Sequence, residues 1–139
     1  DEKLPNFIET MAGELDNDSQ LDLVTCGFIV RTVGQEDWEH HHNLWTTPEG
    51  VKEKSTCAAG ALLYRREAFK RVGHFSEVIR TNEDWEWVRR AVMLLKVKNL
   101  ATCCMIYRQH DMNRQLRAEA LGHSVDVAYI LNQRQVVLL

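Results

Sequence analysis

Proline and glycine are scarce, at two and seven in 139 residues, so the chain lacks the composition of a flexible linker or a disordered tract. No apolar run approaches the roughly 20 residues that a membrane-spanning helix needs. The first residues also lack the basic segment and apolar core of a secretory signal. Positive charge is not in excess: the net charge is -3 and the pI is near 6.1, which excludes a general field that would gather nucleic acid or an anionic membrane surface. An anionic ligand must be held by local groups. The four cysteines, Cys26, Cys57, Cys103 and Cys104, show neither CxxC spacing nor the density of a secreted disulfide scaffold, which fits reduced thiols in a cytoplasmic protein.

What is present is ordinary for one folded domain spanning residues 1–139, with 45% apolar and 27% charged residues. A chain of this length buries roughly two thirds of the surface that its unfolded form exposes, enough for one core. No internal repeat is visible. Adjacent Cys103 and Cys104 would point to opposite faces of a strand, so they read first as small strand residues and only second as a redox pair.

Periodicity predicts alternating helices and strands. Leu4, Phe7, Ile8, Met11 and Leu15 share one face of a helix over 3–15, with Pro5 in its first turn and the polar run 16–20 as its break. Residues 21–30, LDLVTCGFIV, have the content of a largely buried strand. From Arg31 to Ser55 the pattern is lost, which predicts a long excursion with short hairpin strands. This excursion holds His40-His41-His42, whose alternate rings on an extended segment could bind a divalent metal. The competing reading is a solvated loop, because no carboxylate or cysteine stands at an obvious partnering distance. A short apolar stretch and a short helix closed by Gly73 follow, then a helix beginning near 82 with Trp87, Val88, Ala91, Leu94 and Leu95 as its stripe. Thr81 and Asp84 match the capping-box spacing in its Asp form. A strand over 97–110 and a helix after Arg114 complete the pattern. The expected fold class is α/β.

Three pieces stand in one order: AGALLYRREAFKRVGHF at 59–75, NEDWEWVRRA at 82–91 and YRQH at 107–110. Together they resemble the second half of family-2-type inverting glycosyltransferases, and the stretch they lie in, 59–110, covers over a third of the chain. The opening Asp1-Glu2-Lys3-Leu4-Pro5-Asn6 resembles the sequence just past that family's metal-binding Asp-x-Asp element. The resemblance implies a partial GT-A-like mixed sheet flanked by helices, lacking the nucleotide-binding strands of the first half. It also implies a metal-dependent transfer from a nucleotide-sugar to the hydroxyl of a saccharide or other acceptor, with manganese or magnesium as the ion.

By that resemblance Asp84 is the general base, Glu83, Trp85 and Trp87 lie at the acceptor, Arg66 and Arg108 at the diphosphate, and His110 at the metal. The chemistry suits these residue types, since attack on the anomeric carbon needs a proton acceptor and cations offset charge on the leaving diphosphate. Arg65, beside Arg66, could also present a guanidinium fork to phosphate oxygens. Plain structural roles compete with each assignment. Acidic residues in a first helical turn stabilise it by roughly 0.3–1 kcal/mol through the macrodipole alone, and paired arginines on a short helix make a solvated face. The alternative function is a non-catalytic half-domain that binds a saccharide or a protein, or that forms a homo-oligomer to cover surface left by the missing half.

Overall fold

The computed structural model describes residues 1–41, 58–79 and 83–110. Expectations for Thr81, His42, Cys57 and the helix after Arg114 lie outside these residues. Strand β1 (Glu2–Lys3) leads to helix α1 (Phe7–Asn17), then β2 (Leu23–Thr32) and β3 (Trp38–His40). After a 3-10 turn at Ala59–Ala61 come β4 (Leu62–Tyr64), α2 (Arg66–Val72), α3 (Glu83–Leu94) and β5 (Val97–Gln109). The architecture is a mixed five-stranded sheet flanked by helices, in the order β1-β5-β2-β3, with β4 also on β2. β2 and β5 run parallel along the whole of β2, whereas β3 and β4 pair antiparallel with it at residues 28–30 and 23–25. Since β5 occupies one edge of β2 throughout, β3 and β4 must share the other.

Alternation along β2 explains the two cores. Val24, Cys26, Phe28 and Val30 point to one face and pack with Phe7, Met11 and Leu15 of α1. Leu23 points to the other and packs with Ala68 and Val72 of α2 and Trp87, Val88, Ala91 and Leu95 around α3. The α1 stripe is thus as expected except at its edges. Ile8 is exposed, and residues 2 and 3 pair with Ile106 and Met105 as a strand, continued by the Leu4 N–H, which donates to the Cys104 carbonyl at 2.9 Å. No helix of the described residues is long and apolar enough to cross a membrane.

Local caps complete the frame. Gly73 ends α2 with φ 86° and donates its N–H to the Phe69 carbonyl at 2.8 Å, a backbone state that costs glycine little. Its carbonyl accepts the Trp87 indole N–H at 2.8 Å. Glu86, 2% exposed, forms a two-pronged pair with Arg90 at 2.8 and 2.9 Å. Arg90 also donates to the Val72 and His74 carbonyls, so this pair pins α3 to the end of α2.

Candidate functional site

The head of α3 brings together two of the three sequence pieces. The Asp84 carboxylate accepts the Trp85 N–H at 2.8 Å, and its own amide and that of Ala59, in the 3-10 turn before β4, hold it as well. The residue is half-buried, and its carboxylate bridges α3 to the turn that opens the 59–75 segment. Helix-terminus amides favour the ionised form of such a group, but here burial outweighs them. Burial pushes its pKa up, the amides of Trp85, Asp84 and Ala59 offset this in part, and the Glu83 charge adds to the rise.

A carboxylate with a raised folded-state pKa binds protons more readily in the native than in the unfolded chain. Its contribution is therefore most favourable below the unfolded pKa and is lost as pH rises through the folded one. Asp18 and Asp37 have the opposite sign, their pKa values being lowered by hydrogen bonds from Lys96 and Arg31. We expect the melting temperature of Asp84→Asn to gain on that of the native protein as pH rises through and beyond the ordinary carboxylate range. Parallel melting curves at each pH would show instead that Asp84 titrates as a free carboxylate.

The aromatic pair separates. Trp85 is half-buried and packs against the α2–α3 core, with the Arg89 guanidinium 5.6 Å from its ring centroid. Trp87, expected at the acceptor, is fully buried among Tyr64, Phe69 and Phe75, so it is a core residue with no face for a sugar. Its position in the apolar stripe is the signal that decides it. Glu83 is half-buried beside Asp84.

The cations are also dispersed. Arg65 is structural: its guanidinium donates to the carbonyls of Leu21 at 2.9 Å, Leu15 and Asp18, closing the carboxyl end of α1. Arg66 stands exposed in the first turn of α2. Arg108 pairs with Glu2 across β5 and β1 at 2.7 Å, both about half exposed, so a diphosphate there would have to displace a carboxylate. His110 follows the end of β5 and is exposed. The described residues supply no set of three neighbouring ligands that includes it, so they do not fit a tightly held manganese or magnesium ion at His110.

A second constellation lies elsewhere on the sheet. Glu39 Oε2 and His41 Nε2 are 2.9 Å apart, and ligand atoms of Glu39, His41 and Cys103 all fall within 4.8 Å of one another. The alternate pair expected to share a face, His40 and His42, has one member outside the described residues. His40 stacks on Phe28 with ring centroids 4.8 Å apart, and burial together with His41 lowers its pKa. Glu39 and His41, two apart, take the other side. The partner that sequence spacing could not offer is Cys103, brought from β5 by the fold. An irregularity in the β2–β5 ladder around Gly27 inserts extra β5 residues and re-aims its side chains.

That irregularity also divides the cysteines. Cys103 joins His41 above Gly27, while Cys104 is fully buried in the α1 core with Cys26. Adjacent residues on opposite faces cannot act as the redox pair considered from sequence. Burial pushes the Cys26 thiol up to about 11, so it is a weak nucleophile. When compared with known proteins, the chain matches no protein-family model and no curated protein.

Proposed function

We propose that this chain is the acceptor side of an inverting, GT-A-like glycosyltransferase acting on a nucleotide-sugar donor. The observation that carries the reading is the Asp84 carboxylate at the head of α3, tied to Ala59 and pushed up in pKa by burial, which joins two sequence pieces of the resemblance at one acidic group. A carboxylate of raised pKa is a better proton acceptor than a fully solvated one. In the reaction, the acceptor hydroxyl loses its proton to Asp84 and its oxygen bonds to the anomeric carbon. The bond from that carbon to the diphosphate breaks, and the diphosphate leaves with the electron pair. Glu83 and the exposed part of Trp85 border the acceptor. No step is assigned to a metal, because the described side chains around His110 do not form a ligand set.

Saccharide binding to the whole chain, followed by saturation-transfer NMR, tests this reading. We expect binding by oligosaccharide acceptors and a loss of about two- to tenfold in Trp85→Ala, the worth of one aromatic contact. The helical circular-dichroism signal should be unchanged. Binding without any transfer from nucleotide sugars would favour a non-catalytic saccharide-binding domain. No saccharide binding together with no transfer would reject both.

A further inference from the structure

We propose that Glu39, His41 and Cys103 form a site for one divalent transition-metal ion of the zinc type, bridging β3 and β5 across β2. The three ligands come from two segments that are not neighbours in the sheet, since β2 lies between β3 and β5. An ion can join them only if β2 presents no side chain at the crossing point. Gly27 meets that requirement: a Cβ there would lie 2.9 Å from Cys103 Sγ, 3.0 Å from His41 Nδ1 and 3.0 Å from the His40 carbonyl oxygen. The space that a side chain would fill is the space over which thiol and imidazole converge.

Ligand chemistry selects the ion. A thiolate with an imidazole and a carboxylate favours zinc and its softer neighbours over magnesium or calcium, which prefer all-oxygen sets. In a tetrahedral site with bonds of roughly 2.0–2.3 Å, ligand atoms are roughly 3.3–3.8 Å apart. The present limit of 4.8 Å therefore closes by at most about 1.0–1.5 Å through rotation of two accessible side chains, Glu39 at 64% and His41 at 35% exposure. Three protein ligands leave a fourth position for water or substrate.

The same residue types also suggest a cysteine nucleophile with a His41–Glu39 base. An activated thiol needs its pKa lowered by nearby positive charge. The charged group that the described residues place beside Cys103 is the Glu39 carboxylate, of the same sign as a thiolate. A divalent cation placed between thiolate and carboxylate turns their repulsion into shared attraction.

The test is titration of the reduced, metal-free protein with cobalt(II) and then zinc. We expect one equivalent of cobalt to give a thiolate-to-cobalt charge-transfer band that zinc abolishes, and zinc to raise the melting temperature. Cys103→Ser and His41→Ala should each weaken zinc binding by more than the roughly 10- to 100-fold that losing an outer partner of a metal ligand costs. Gly27→Ala should do the same by occupying the crossing point. If that variant does not fold, the near-isosteric Cys103→Ser still decides. A charge-transfer band of native intensity in Cys103→Ser, or zinc affinity that none of these changes alters, overturns the site.

Discussion

Asp84→Asn should reduce sugar transfer by about two to four orders of magnitude, the usual worth of a positioned general base, while leaving the fold in place. Asparagine keeps the shape of the side chain and an oxygen for the Trp85 N–H, which Asp84 now accepts at 2.8 Å. It cannot take up the hydroxyl proton. Retained folding is expected because burial already makes the charged form costly at this position. A neutral isostere thus removes a desolvation penalty even as it weakens the Ala59 contact. The measurement is kcat on a nucleotide-sugar donor in the longest form of the protein that the gene encodes, with the melting temperature taken in parallel. On the proposed reading, the acidic limb of the native rate profile should lie above the ordinary carboxylate range, because Asp84 must lose its proton to act as the base. Turnover within a few fold of native in the variant would rule out Asp84 as the base and reduce it to a tie between α3 and the 3-10 turn.

The other large effect concerns stability. Arg90→Ala should destabilise the protein by about 3–5 kcal/mol, the cost of removing one member of a buried ion pair. Glu86 is 2% exposed and Arg90 about a quarter exposed, so the surviving carboxylate has little access to water. Arg90 also serves the Val72 and His74 carbonyls, which adds unpaired acceptors at the end of α2. The loss is a large share of the roughly 5–15 kcal/mol that holds a domain together. Glu86→Leu combined with Arg90→Met should recover much of it, since an apolar pair of similar volume avoids desolvating any charge. Urea unfolding of both variants checks this. A single-variant loss below about 1 kcal/mol would place the pair with ordinary surface bridges.

Much of the secondary structure was legible in the residues. The stripes of Phe7, Met11 and Leu15 and of Trp87, Val88 and Ala91 marked helices because burial repeats at the helical period. Gly73 marked the end of α2 because a positive φ favours glycine. The alternation rule also placed Cys103 and Cys104 on opposite faces. Helix α1 was read too early, since nothing in Glu2-Lys3 announces a strand whose partner lies about a hundred residues away.

The candidate sites divide along the same line. Asp84 at a helix head could be read from the order of the motifs, and Trp87 in the core could be read from its stripe. The ties of Arg65 to α1, of Arg108 to Glu2 and of Glu86 to Arg90 required knowing which elements pack together. The sequence reading found no carboxylate or cysteine to partner the histidines, whereas the fold places Glu39 and Cys103 beside His41. By itself the sequence determined where the chain turns helical or extended and which side chains seek the interior, because those preferences act over a few residues. Only the tertiary structure decided that β2 separates β3 from β5 and that an irregular ladder turns Cys103 toward Gly27. Strand order and register come from contacts between distant segments, and no local pattern encodes the partner at the other end.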